Sequence, residues 1–469
     1  MTNQNKSLPM YSCCAPADQS ETQEATLGKG KQSNQPIHNK ELPIAIIGAG
    51  PIGLAAAAHL VERGERFIVF EQGPRVGHHI LKWGHIRLFS PWQYNIDQAA
   101  QKLLSKQGWQ APIPEDLPFG KEIVELYLTP LADLPEIKPH VHLNTTVTAV
   151  SRKRMDKMKT SNREEQPFIL YTTSGGTSSA FEVRAVIDAT GTWGQPNPVH
   201  AGGIWTEEER AQSDRIYYGI PDIKGGDRER YRGKRIAVIG SGHSALNTLL
   251  DLATLKEANP QTELVWIMRK ASVEDAFGGG ENDQLAARGE LGSRIHHLVE
   301  SGHVQVVTPF NIERLVPQDH QVSIIGDSGA LQAFDEIIVN TGSRPDFSFL
   351  REIRLAVDQA TESVQFLAPL IDPNVHSCGT VRPHGEKELR QLEKDFYIVG
   401  MKSYGRAPTF LMATGYEQVR SIVAYLVGDV EAAERVELVL PETGVCSISN
   451  APRNQLTPSD PSGSSSCCT

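Results

Sequence analysis

Two short glycine-rich runs have the spacing of phosphate-binding chemistry. The first is Gly48-Ala49-Gly50-Pro51-Ile52-Gly53 and the second is Gly240-Ser241-Gly242-His243-Ser244-Ala245. Each comes after a β-branched run ("IAII", "IAVI") and precedes a helical pattern. In this arrangement the first glycine allows a tight turn. The second lets the backbone approach a pyrophosphate, and the third lets the helix pack on the strand. The free N–H groups and dipole of the helix N-terminus favour the anion. Pro51 fits the first helical turn, where its missing N–H costs nothing. In the second run alanine replaces the third glycine, a known variant.

The strand after each run separates the two sites. After the first, "RFIVFE" ends in Glu71, where a carboxylate is expected to bind the ribose hydroxyls of an adenosine. After the second, "ELVWIM" ends in Arg269-Lys270. Cations there suit a 2′-phosphate, so NADPH is expected over NADH, the bland alternative being a solvated strand end. Two such units in one chain imply two dinucleotides, FAD in the first and NADPH in the second, with hydride passing between them.

The elements that must position these runs alternate between strand and helix. Strands are expected at 44–47 and 67–70 around a helix over 51–63. The second unit is expected to have strands at 235–239 and 263–268 around a helix over 244–255. Hairpins are expected over 167–188, about a Gly-Gly turn, and over roughly 321–339. A last helix is expected near 415–427. The fold class is therefore α/β, with two Rossmann-like dinucleotide-binding domains, the FAD domain being interrupted by the NADPH domain. The expected division is FAD domain 42–200, NADPH domain 201–335 and FAD domain again 336–446. Residues 1–41 and 447–469 read as disordered tails, since their Ser, Gln, Asn and Pro content cannot offset the entropy of ordering.

Composition narrows the class. Apolar content of 39% and charged content of 22% suit a globular chain, and its 469 residues suit more than one core. The net charge of −10 argues against nucleic acid as a partner. No stretch is long and apolar enough to span a membrane, and no signal peptide is visible, so a cytoplasmic location is expected. Thiols stay reduced there. Of six cysteines, four form the vicinal pairs Cys13-Cys14 and Cys467-Cys468 in the tails. Such pairs suit a soft, thiophilic ion better than an internal disulfide. Incidental pairs, or scavenging unrelated to turnover, are the alternatives.

With these residues in hand, the chain resembles the two-dinucleotide-binding flavoproteins, and among them the class B flavin monooxygenases. The resemblance covers about residues 42–435. It rests on both glycine runs, on "DATG" (Asp188–Gly191) as a link between domains and on "RYRGKRIAVIGSGHSA". It also rests on "NTG" (Asn340–Gly342), followed by Arg344-Pro345, as the return into the FAD domain. The class signature is incomplete: "YYGIPDI" supplies Tyr217 and Gly219, but Ile223 stands where a histidine belongs. The resemblance adds Gln72, Trp83, Arg87, Val147, Thr190 and Gly191 to the expected cofactor contacts. It implies that the segment 76–97 covers the flavin ring, with Trp83, Phe89 and Trp92 along its face and Lys82 and Arg87 near a reduced flavin. His78, His79 and His85 follow no recognised zinc spacing.

The resemblance implies an enzyme using NADPH, FAD and molecular oxygen, with oxygen activated on the reduced flavin as a (hydro)peroxide. It implies no catalytic side chain, because the chemistry is borne by the flavin. A disulfide reductase is the rival within the fold, but no close cysteine pair lies in the expected core. The chain is also similar to flavoproteins of arsenic resistance, which implies oxidation of trivalent (organo)arsenic or antimony to the pentavalent form. In that reading Cys13, Cys14, Cys467 and Cys468 are metalloid ligands. N- or S-oxygenation of small organic molecules, and a metalloid-binding or redox-sensing flavoprotein with little turnover, are the alternatives.

Overall fold

The computed structural model describes residues 41–278, 285–374, 384–408 and 410–438. All six cysteines fall outside these ranges, including both vicinal pairs expected as metalloid ligands.

Two five-stranded parallel sheets organise the chain. The first runs, in spatial order, Phe396–Ile398, Ala185–Asp188, Ile44–Ile47, Phe67–Phe70 and Val141–His142. Its strands are short continuous apolar runs, as expected for a parallel sheet covered on both faces. Helix α1 (Pro51–Glu62) covers one face with Leu54, Ala55, Ala56, Ala57, Ala58 and Leu60 all buried. Four small alanines in a row let the helix sit close to the strands.

The second sheet runs Gln305–Val307, Glu263–Ile267, Arg235–Ile239, Glu336–Val339 and Ile216–Tyr218, again all parallel. Helices α2 (His243–Ala258) and α3 (Ala286–Glu300) pack together beside it. The first sheet takes strands from residues 44–188 and then from 396–398, so the second unit is inserted into the first. Helix α4 (Met412–Leu426) closes the first unit by packing on α1.

Each expected hairpin proves to be a hairpin plus a parallel strand. Phe168–Ser174 and Thr177–Val183 pair through a two-residue turn, with Gly175 at φ +54° and Gly176 at φ +81°. Ala185–Asp188 leaves that sheet and pairs with Ile44–Ile47. Likewise Ile312–Gln318 and Gln321–Gly326 form an antiparallel pair, whereas Glu336–Val339 joins the second parallel sheet. All four residues of each departing strand are buried, so neither shows the alternation of a one-sided hairpin. The boundary expected between residues 335 and 336 thus falls inside the second sheet, at the start of one of its central strands.

The two chain crossings between the units pair with each other. The Asn197 amide donates to the Gly342 carbonyl (2.9 Å) and the Arg344 amide to the Gln195 carbonyl (2.9 Å). Asn197 Nδ2 donates to the Thr341 carbonyl at 3.0 Å, and Thr341 Oγ1 donates to the Asn197 carbonyl at 2.8 Å.

Candidate active site: two dinucleotide turns and the cavity at the second

Both glycine runs lie where their sheet's strand order reverses, the point at which open α/β sheets bind ligands. The geometry repeats. Gly48 has φ +102°, and a Cβ there would sit 2.8 Å from the Ala189 carbonyl oxygen of the neighbouring strand's end. Gly240 has φ +129°, and its Cβ would sit 2.3 Å from the Asn340 carbonyl oxygen. A Cβ on Gly53 would fall 1.9 Å from the Gly48 carbonyl oxygen. Gly50 and Gly242 differ from these: each would point a Cβ into open space. Open space beside an uncapped helix start is the cradle a pyrophosphate needs, and neither α1 nor α2 has a side-chain cap.

Around the first turn, Glu71 is 8% exposed and both its oxygens are engaged. Oε2 accepts from the Ala49 amide at 2.9 Å and Oε1 from the Gly73 amide at 2.7 Å. The carboxylate thereby fixes the turn, and its remaining lone pairs are free for ribose hydroxyls. The Thr145 amide donates to the Glu71 carbonyl, which brings the strand carrying Val147 to the same end. Gln72 is exposed, its amide 3.4 Å from His79. Burial, reinforced by Lys82 and then His78, lowers the His79 pKa, so its ring is neutral at neutral pH. Thr190 donates through Oγ1 to Asp188 Oδ1 at 2.7 Å, and Gly191 comes next at φ +68°.

The segment 76–97 divides. Trp83 is half-buried, with its ring 6.3 Å from Trp193. Lys82 is exposed, and Arg87 lays its guanidinium over Phe119 at 4.6 Å. Trp92, expected along the flavin face, is instead a core residue at 3% exposure, because its short 3₁₀ turn points the indole inward. Phe89 crosses to the other unit and meets His243 of the second turn at 5.3 Å.

Along that second turn lies a cavity of about 890 Å³. Ser241, His243, Ser244, Arg269 and Lys270 are among its lining residues. The lining also includes Met401, Arg406, Pro408, Phe410 and Leu411, which come after the last strand of the first sheet. Arg269 donates to the Ala201 carbonyl at 3.2 Å, and Lys270 donates to the Asp275 carbonyl. Ala245 is buried in α2, packed into the second core. Asn197, His200, Arg288, Arg406 and Phe410 also belong to this lining, and motif spacing does not find them. They come from separate segments, and no local pattern marks them. Among the described residues, no group of three or more His, Cys, Asp or Glu is placed to hold a metal ion.

Residues 45–372 match the family described as pyridine nucleotide-disulphide oxidoreductase. The chain belongs to this family. Its named relatives are of different kinds. The chain is 28% identical over 214 residues to the probable indole-3-pyruvate monooxygenase YUCCA9 of Arabidopsis thaliana, spanning 44% of either chain. It is 24% identical over 362 residues to ferredoxin–NADP reductase 2 of Latilactobacillus sakei, covering 74% of this chain and 88% of that one. Among solved structures, bacillithiol disulfide reductase Bdr of Bacillus cereus superposes with a TM-score of 0.57 at 19% identity, over 82% of this chain and 98% of that one. That likeness shows the shared fold. The protein is a flavin- and pyridine-nucleotide-dependent oxidoreductase, and FAD and NADPH suit the two turns respectively. No cysteine lies anywhere in residues 45–372, so the matched segment has no dithiol of its own.

Proposed function

We propose that the protein is an NADPH- and FAD-dependent monooxygenase that oxidises a soft nucleophile, with trivalent arsenic or antimony as the first substrates to test. The main support is a single cavity that joins the NADPH-type turn to residues of the FAD-binding unit, in a chain whose residues 45–372 hold no cysteine pair as an alternative electron acceptor. FAD, when bound, accepts hydride and provides the site of oxygen activation.

The chain's own residues bind, orient and exclude water. Arg269 and Lys270, which line the cavity, neutralise a 2′-phosphate. The start of α2 receives the pyrophosphate at Gly242–Ser244. Phe89, Met401, Phe410 and Leu411 supply apolar wall to the cavity, which keeps water from the reacting atoms. The metalloid substrate is supported by the four terminal cysteines alone, since among the described residues the sulfurs lining the cavity are the thioethers of Met268 and Met401. The apolar wall favours a second reading, oxygenation of a small organic amine or sulfide.

The test is NADPH oxidation and oxygen uptake by FAD-loaded protein with methylarsenite, arsenite, antimonite, amines or sulfides, product valence being checked by chromatography. Stimulation with a pentavalent product supports the metalloid reading. Loss of that stimulation in a C13S/C14S/C467S/C468S variant brings the tails into turnover. Stimulation by organic substrates only moves the assignment to N- or S-oxygenation. Flavin reduction coupled only to a one-electron acceptor would sink the oxygenase reading.

A further inference from the structure

We propose that Lys402 is a positioning residue for the flavin site, acting through Asp188 and Thr190. This rests on the reading of the first unit as FAD-binding. Lysine and aspartate are rarely fully buried unless paired, and Lys402 and Asp188 are both 0% exposed. Lys402 Nζ lies 2.6 Å from Asp188 Oδ2 and 3.1 Å from Thr190 Oγ1. Its remaining approach is covered by aromatic faces, with Phe349 at 4.6 Å and Phe347 at 5.3 Å. Asp188 uses its other oxygen to accept from both the amide (3.1 Å) and the hydroxyl (2.7 Å) of Thr190. The Thr190 hydroxyl therefore donates to Asp188 and accepts from Lys402, which fixes its rotamer.

The location gives this lock its meaning. Asp188 and Ile398 are paired at the ligand-binding ends of adjacent parallel strands. The residues just beyond Asp188 press on the first glycine turn, with the Ala189 carbonyl 2.8 Å from where a Gly48 Cβ would stand. On the other strand, Gly400 turns at φ +67° against Ile52 of α1, and its amide donates to Gln418 Oε1 at 2.7 Å. Asp188 and Lys402 are separated in sequence by the whole inserted unit. The pair thus closes the FAD-binding unit across its interruption, immediately behind the loop Ala189–Gly191. With its contacts taken up by Asp188, Thr190 and two aromatic rings, Lys402 is not placed to exchange protons with a substrate. Its task is to hold the loop in one conformation.

A buried ion pair replaced on both sides by apolar groups usually keeps its stability, whereas removal of one partner does not. That asymmetry separates positioning from mere support. The full-length protein is stripped of FAD and titrated with it, flavin fluorescence and the visible spectrum being followed, with thermal melts alongside. Lys402→Met should lower the melting temperature and weaken FAD binding. The double variant D188L/K402M should regain the melting temperature but stay about ten- to a hundredfold weaker for FAD, with an altered visible spectrum. T190V keeps the ion pair, and it should weaken FAD binding without additivity when combined with K402M. Recovery of both properties in D188L/K402M reduces the pair to structural support and overturns the proposal. If that variant does not fold, T190V binding FAD like wild type, or strict additivity with K402M, overturns it instead. Wild-type protein that takes up no FAD overturns the flavin reading itself, and this proposal with it.

Discussion

At the scale of residues, glycines of one motif have different reasons to be glycine. Gly53 is glycine because its own chain is in the way, with the Gly48 carbonyl oxygen 1.9 Å from a Cβ. Gly50 has φ −82° and ψ −173°, which any residue adopts, and open space beside it. Gly53→Ala should therefore cost at least about 3 kcal/mol of stability. Gly50→Ala should change stability by less than about 0.5 kcal/mol yet weaken FAD binding by about tenfold or more. Thermal melts and FAD titration on the two variants check this contrast. The same logic gives Gly242→Ala a raised KM for NADPH with an unchanged melt. Arg269 and Lys270 make a sharper test of cofactor choice. In R269Q/K270Q the KM for NADPH should rise about ten- to a hundredfold while that for NADH barely moves, because only NADPH carries the extra phosphate. Steady-state kinetics with both nucleotides measure the ratio.

At the scale of elements, a buried cluster anchors the antiparallel sheet that carries Val147. Glu393 is 2% exposed and accepts from Arg152 at 2.8 Å and from Arg163 at 2.8 Å, both nearly fully buried. Arg152 ends the strand Thr146–Arg152 and stacks on Phe168 at 3.6 Å, while Glu393 lies just before the last strand of the first sheet. Burial alone would raise the Glu393 pKa, but hydrogen bonds from Arg163 and Arg152 outweigh it and hold the group below its ordinary 4.5. A carboxylate depressed on folding stabilises fully above its unfolded value, so this contribution is complete above about pH 4.5 and is lost as pH falls further, through the folded value. Glu393→Gln leaves two buried guanidinium groups without their anion and should cost about 3–5 kcal/mol. Chemical denaturation from pH 3 to pH 7 should show that loss at neutral pH and a narrowing gap between variant and wild type in acid.

At the scale of the molecule, the paired crossings fix how the two units meet. Asn197 contributes an amide, a carbonyl and a side chain to that ladder. Asn197→Ala removes the hydrogen bond to the Thr341 carbonyl and should cost about 1 kcal/mol. Because the ladder joins the units and Asn197 also lines the cavity at the second turn, away from the first, the rate of flavin reduction by NADPH should fall while FAD affinity stays unchanged. Stopped-flow reduction beside FAD titration reads the two separately.

Much of this organisation is legible in the amino-acid order. Strands, glycine turns and helix starts are local, since steric limits on φ and the burial of apolar runs act over a few residues. That is why α1, the strand Ile44–Ile47 and the positions of Glu71 and Arg269-Lys270 beside the two turns can be read directly. The sequence by itself also determined that a dithiol relay is missing from residues 45–372. Tertiary structure alone decided that Ala185–Asp188 and Glu336–Val339 leave their hairpins, because parallel partners lie far along the chain. It alone placed Trp92 in the core and Phe89 against His243. It alone brought Lys402 to Asp188 across 214 residues, since a buried charge finds its partner by packing and not by spacing.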